Sequence, residues 1–308
     1  MGSDHIHDCQ TSLKLLEAEH HLLSHKQLME RYPFMTFEDG HEGVVELSTC
    51  GLVNPRKLVK AQRTAAHLQG CDIMTTIVDQ IYENCDEPLG SKILSVVTAN
   101  GQIVRSRKVL LCTGAFTVTK PLLPPHLLPD IRLAPSQALK LEVSADDLEN
   151  LRGIPMMEFW RSKDDRENGY LCPPVTYPNG KTYLKIGHER LGYFERYTDV
   201  AEWYRGDGDQ EVTEKLKKSI HAFLPGFEPL SFDVHPCVLT ATKNNLPYID
   251  MITPQIGIAV GGNGEGARWS YEVGKIAANM ITKGQWDYDL PKDNFKVQFQ
   301  DQIVASKL

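Results

Sequence analysis

The sequence predicts an α/β (α+β) chain in which parallel strand–turn–helix pieces flank a region of antiparallel sheet. Three observations predict it. The apolar run "IGIAV" (Ile256 to Val260) leads through the glycine loop "GGNGEGARWS" (Gly261 to Ser270) into the helix-like "SYEVGKIAANMI". A second apolar run, Val109 to Cys112, ends at the small-residue turn Thr113-Gly114-Ala115. A buried parallel strand ending in such a turn delivers its carboxyl end to a ligand crevice, although an ordinary core strand reads the same way on these residues alone. From about residue 131 to 236 the pattern changes to short strands, "MMEFW", "GYLCPP" and "KTYLKIGHE", with an Asn-Gly turn at 179–180.

The elements follow in order. "SHKQLMERYPF" carries Ser24 and Gln27 at capping-box spacing and must stop before Pro33. "NPRKLVKAQRTAAHLQG" has an Asn54 cap, Pro55 in the first turn, Gly70 as the stop, and Leu58, Ala61, Ala65 and Leu68 at helical spacing. "ILSVVTA" and "QIVRSRKVLLC", joined by Asn100-Gly101, read as a hairpin on a tight primed turn. An amphipathic helix from Gln210 to Leu224 puts Val212, Leu216, Ile220 and Phe223 on one face. Because α/β texture lies on both sides of the antiparallel region, one of about two domains is expected to be discontinuous.

With 33 Lys and Arg against 40 Asp and Glu, the net charge is −7 and the basic residues are scattered, which excludes a nucleic-acid footprint. No apolar run approaches the roughly 20 residues of a membrane helix, and a membrane partner is not expected. Seven cysteines (9, 50, 71, 85, 112, 172, 237) include no C-x-x-C pair, so neither a zinc cage nor a disulfide framework is expected. The terminal Ser306-Lys307-Leu308 is the peroxisomal address, implying the peroxisomal import receptor as a partner and a peroxisomal location.

Several residues carry chemistry in principle. "DHIHD" (Asp4 to Asp8) offers metal-ligating atoms but reads better as a solvated tail. Lys185 lies in an alternating strand with Tyr183 and Gly187 on its face, where an exposed lysine is the default. Cys237 reads first as a small buried hydrophobe and second as a reactive thiol. Arg268, just past the glycine loop, is either a loose surface arginine or an anion site reinforced by the helix dipole.

Taken in order, "ERYPF", "STCGLVNPRKLVKAQRTAAHLQGCDI", "TANGQIVRSRKVLLCTGAF", "YLKIGHE", "CVLTATKNNLPYID" and "IGIAVGGNGEGARWSYEVGKIA" resemble the sarcosine oxidase and pipecolate oxidase group of the D-amino-acid-oxidase-like flavoproteins. The resemblance runs from about residue 24 to 290. It implies an FAD-dependent oxidoreductase that oxidises the C–N bond of an amine or (N-alkyl) amino acid with O2, giving an imine and H2O2. It implies Cys237 as a covalent flavin anchor, Lys185 as the cation that helps activate oxygen, and Arg268 as the partner of a substrate carboxylate. It also implies Gly264, Glu265, Gly266 and Ala267 against the flavin ring, Gly114 and Ala115 beside the cofactor, and Val78 on the adenine side.

The implied fold is an FAD/NAD(P)-binding Rossmann-like domain (46–130 and 240–308) with an antiparallel-sheet substrate domain (9–45 and 131–239). Departures from the family pattern are Leu239 for an aromatic residue, Leu171 for a tyrosine with Tyr170 beside it, and Glu189 for a histidine with His188 one place early. The family's opening G-x-G-x-x-G unit has no counterpart in residues 1–100, so the Rossmann-like domain is expected to be truncated. A sheet lacking that strand would keep an unpaired edge and an uncovered core. The alternative is a cofactor-deficient, non-enzymatic remnant or interaction protein of the same fold.

Overall fold

A computed structural model describes residues 2–48, 50–83, 93–160, 168–188 and 191–300. The sequence features Cys85, Glu189 and Ser306-Lys307-Leu308 lie outside the described residues. The chain begins with α1 (Gly2–Leu15), β1 (His20–Leu23), α2 (His25–Arg31), β2 (Gly43–Glu46), α3 (Pro55–Leu68), β3 (Val78–Glu83), β4 (Leu94–Thr98), β5 (Ile103–Ser106), β6 (Val109–Leu111) and α4 (Phe116–Thr119). It continues with β7 (Ile131–Glu142), α5 (Ala145–Asn150), β8 (Met157–Phe159), β9 (Gly169–Thr176), β10 (Thr182–His188), α6 (Asp199–Arg205) and α7 (Gln210–Phe223). It closes with β11 (Phe232–Thr242), β12 (Tyr248–Met251), β13 (Ile256–Val260) and α8 (Gly266–Lys283). The fold is thus mixed helix and sheet with antiparallel sheets, as the texture of the sequence predicts.

Two compact units divide the chain. The first comprises Met1–Leu52, Pro135–Gly192 and Ala201–Cys237; the second comprises Val53–Ala134, Tyr193–Val200 and Val238–Leu308. In the first, a five-stranded sheet runs β11-β7-β10-β9-β8, with β10 antiparallel to both β7 and β9. Strand alternation decides its faces. Leu184 and Ile186 point into an apolar core with Leu139, Leu141 and Leu171, and α7 lays Val212, Leu216, Ile220 and Phe223 into the same core. Asp209 caps α7 by accepting from Val212 N–H at 3.0 Å. Pro173 and Pro174 fit inside β9 because the β9–β10 register slips between Tyr183/Val175 and Lys185/Cys172, a bulge where no ladder donor is needed.

The second unit holds two three-stranded sheets, β12-β13-β6 and β3-β4-β5. β13 pairs antiparallel with β12 and parallel with β6, in the register Ile256↔Val109 and Ile258↔Leu111. α8 supplies Ile276, Ala277 and Met280 to a core with Ile249 and Phe295, and stops at the left-handed Gly284.

α2 and α3 start as their sequences predict: Ser24 and Gln27 form a complete capping box, and Asn54 accepts from Lys57 N–H at 3.1 Å.

Three expectations need correction. Asn100-Gly101 is not a primed turn: only Gly101 has positive φ (81°), and Thr98 N–H donates to Gln102 O at 3.0 Å around a longer loop. The second arm of that hairpin divides, with β5 staying on β4 while β6 leaves to join β13. β6 is not fully buried: Val109 and Leu110 are only half-buried, because β6 is an edge strand of its sheet. Asp4 to Asp8, read from the sequence as a solvated tail, lie within helix α1.

Candidate functional site

In the first unit the outward face of the sheet carries the site. Period-two alternation puts Leu171 into the core and Tyr170 and Cys172 on the opposite face. The register pairs Cys172 with Lys185 and Tyr170 with Gly187. The Lys185 ammonium lies 5.1 Å from the centre of the Tyr170 ring, a cation–π distance. Lys185 is therefore half-buried rather than exposed, contrary to the default reading of an antiparallel face, because Tyr170 and its neighbours shelter it.

Charge and burial compete at Lys185. Burial is the largest single influence and pulls its pKa down; the attraction and hydrogen bond of the Tyr170 phenol, with Cys172 and Cys237, outweigh it and raise the pKa overall. Burial pushes the Tyr170 phenol up against the opposing pull of Lys185. The thiols of Cys172 and Cys237 are likewise raised by burial and opposed by the lysine. At neutral pH the cluster around Lys185 therefore holds its ammonium beside the Tyr170 phenol and the thiols of Cys172 and Cys237.

Cys237 is half-buried, so it is neither a core hydrophobe nor a fully solvated thiol. Its Sγ–H donates to His235 O at 3.5 Å, and its own carbonyl accepts from Trp203 Nε1 at 2.9 Å, which fixes the local backbone.

In the second unit the other predicted residues gather at one edge. β6 and β13 are adjacent and parallel, so Thr113-Gly114-Ala115 and the Gly261 loop leave from the same carboxyl edge. Gly114 has φ 54°, and Gly261 and Gly264 have φ 85° and 84°. A Cβ at Gly261 would also collide with Thr242 Cγ2, so this position needs glycine twice over. The loop is held from below: Asn263 N–H donates to Thr240 O at 2.8 Å, Gly262 N–H to Thr240 Oγ1 at 3.0 Å, and Thr242 N–H to Asn263 Oδ1 at 2.8 Å. Leu239 lies under the loop, at ordinary contact distance (3.6 Å) from where a Cβ of Gly264 would be.

Gly266 and Ala267 open α8, where the first N–H groups have no intrahelical acceptor and suit an anion or an electron-rich ring. Arg268 stands in the same turn, 62% exposed, with its guanidinium 2.7 Å from the carboxylate of Glu265. One anion that Arg268 meets in this structure is its own neighbour, Glu265. Val78 is separate from this edge, at the start of β3 and paired with Thr98 in the other sheet.

Tyr170 and Cys172 are the residues that sequence reasoning missed. Their signal was the alternation of β9 together with the pairing of β9 on β10: once Leu171 is assigned inward, its two neighbours must share the face of Lys185. Leu171, where the resemblance implies a tyrosine, is buried in the core, and Tyr170 lies on the opposite face of β9. Among the described residues no group of His, Cys, Asp and Glu could hold a metal ion, and no helix is long and apolar enough to cross a membrane.

Residues 3–280 match the protein family described as DAO, FAD dependent oxidoreductase. The chain is 22% identical over 291 residues to monomeric sarcosine oxidase from Bacillus sp. (strain NS-129), covering 94% of this chain and 71% of that protein. Among solved structures, NikD, an unusual amino acid oxidase essential for nikkomycin biosynthesis, superposes with a TM-score of 0.72 at 14% identity, over 95% of this chain and 72% of the other. Fructosyl amine: oxygen oxidoreductase (Amadoriase I) from Aspergillus fumigatus does so with a TM-score of 0.67 at 18% identity, over 90% of this chain and 63% of the other.

Proposed function

The chain belongs to the DAO family of FAD dependent oxidoreductases, and from that premise we propose that it oxidises the C–N bond of an amine or (N-alkyl) amino acid to an imine. O2 would be the electron acceptor and H2O2 the second product. The observation that carries this reading is the sheltered ammonium of Lys185 on the open face of β10, kept charged by the Tyr170 phenol despite its burial. A fixed cation in a water-poor place favours the negative charge that develops as O2 is reduced. Bound FAD would supply the two-electron chemistry that no side chain can.

The second unit is proposed to hold that cofactor. Its shared edge of small-residue turns admits close approach at Gly114, Ala115 and Gly264, while Glu265, Gly266 and Ala267 bring the start of α8 to an anionic or electron-rich group. Val78 is assigned to the adenine side and Cys237 to a covalent link. The substrate unit is the first one, with Lys185 as its working cation. Arg268 is assigned to a substrate carboxylate, which would have to share or displace Glu265. Ser306-Lys307-Leu308 is assigned to the peroxisomal import receptor, and a reporter ending in these residues should enter peroxisomes while one lacking Leu308 should not.

Mixing the purified chain with FAD should give a yellow protein whose colour stays with the acid-precipitated pellet. Cys237→Ser should release that colour to the supernatant, and H2O2 should appear with an amine or amino acid. A folded, colourless protein that takes up no FAD would overturn the proposal. It would favour the second reading, a cofactor-deficient relative, which draws its support from α3: that helix has no buried residue although its sequence carries an apolar stripe.

A further inference from the structure

We propose that Tyr170 is a positioning residue, whose phenol holds the Lys185 ammonium at one place on the outward face of the β7–β10–β9 sheet. The inference rests on the reading of Lys185 as the working cation, but it is argued from the sheet alone. Lys185 has two cross-strand partners: Cys172 on β9 and Lys140 on β7. Two lysines directly opposite each other repel unless something separates their charges.

The sheet separates them by giving each lysine its own aromatic dock. Lys140 reaches an ion pair with Asp233 at 3.2 Å and lies 4.7 and 5.2 Å from the ring centres of Tyr183 and Tyr177. Lys185 turns to Tyr170 instead, 5.1 Å from its ring centre. What lets Tyr170 serve is the residue opposite it. Gly187 has no side chain, and a Cβ there would fall 2.5 Å from both Cζ and Oη of Tyr170. The phenol therefore occupies the space that a side chain at position 187 would fill, beside the lysine two residues earlier on the same face.

The described groups around Lys185 fit this account. Cys172 from β9 and Cys237 from β11 shift its pKa in the same direction as Tyr170, Lys140 from β7 is drawn away, and Tyr183 of β10 is engaged with Lys140. The phenol hydrogen bond and ring together offset the burial that would otherwise favour the neutral amine.

The test follows acetylation of lysines across pH 8 to 11 by mass spectrometry on the chain without cofactor, with Lys140 as internal reference. Tyr170→Phe keeps the ring and removes the hydroxyl; Gly187→Ala displaces the ring. Both should lower the pH midpoint of Lys185, making it about threefold to tenfold more reactive near pH 9, since one pK unit is tenfold in the neutral fraction. Lys140 should not move. A Lys185 profile unchanged in folded Tyr170→Phe overturns the proposal, even if Gly187→Ala fails to fold. A second arm measures O2 consumption by the FAD-loaded protein supplied with a panel of primary and N-alkyl amino acids as electron donors. If the Lys185 midpoint moves but no O2 is consumed, positioning by Tyr170 stands and the proposed reaction falls.

Discussion

α7 and α3 are both 14 residues long, both begin at a side-chain cap, and both carry apolar residues at helical spacing. In α7, Val212, Leu216, Ile220 and Phe223 are 0 to 4% exposed and belong to the core of the first unit. In α3 nothing is buried, Leu68 is 80% exposed, and no α3 residue enters either core of the second unit. Helical periodicity encodes a face. It does not encode what covers that face, which depends on elements distant in sequence.

The most direct way to break this comparison is one substitution made twice. Leu216→Ala should cost about 2–5 kcal/mol, a lost transfer energy plus a cavity. Leu68→Ala should change stability by about 0.5 kcal/mol or less, because its side chain already meets water. Urea unfolding of both variants decides the matter. Equal losses would mean that the α3 stripe is covered in solution, and the contrast between the helices would disappear.

A smaller effect sharpens where the second unit keeps its order. If that order lies in the loop rather than under α3, two glycines five residues apart should differ. Gly261→Ala meets both a positive φ and Thr242, and should cost roughly 1–3 kcal/mol. Gly266→Ala, with nothing near its Cβ and an ordinary helical backbone, should be neutral or stabilise by about 0.5–1 kcal/mol. A thermal melt in which Gly266→Ala were the worse of the two would show that the loop is not held as described.

How much of this was legible follows from what each signal depends on. Caps are local chemistry, so Ser24 with Gln27, and Asn54 with Lys57, could be read directly. Two apolar runs ending in small-residue turns marked the strands β6 and β13, but their parallel pairing across 147 residues was not legible in either run. What could not be read was register. Lys185 taken alone looks like a solvated strand lysine; opposite Cys172, and two residues from a glycine that makes room for Tyr170, it becomes a sheltered cation. The turn at Asn100-Gly101 failed for a related reason, since the dipeptide permits a primed turn while the hydrogen bonds of Thr98 select a longer loop.

The two cations repeat the contrast between the units, and they give the smallest expected effect. Lys185 is sheltered and held by a neutral phenol, so its charge remains available to something that binds. Arg268 is exposed, and its charge is already met by Glu265 three residues earlier. An exposed i,i+3 pair contributes about 0.5 kcal/mol or less to stability, so Glu265→Gln should leave the melting temperature almost unchanged. Its effect should appear in binding instead. With the competing carboxylate neutralised, a simple carboxylate such as benzoate, titrated into the chain and followed by arginine side-chain NMR, should bind a fewfold tighter, as expected for about 0.5–1 kcal/mol of removed competition. Arg268→Gln should abolish that gain. If benzoate binds equally to the parent chain and to Glu265→Gln, then Glu265 does not compete for Arg268, and the exposed guanidinium is better read as a surface group than as a carboxylate receptor.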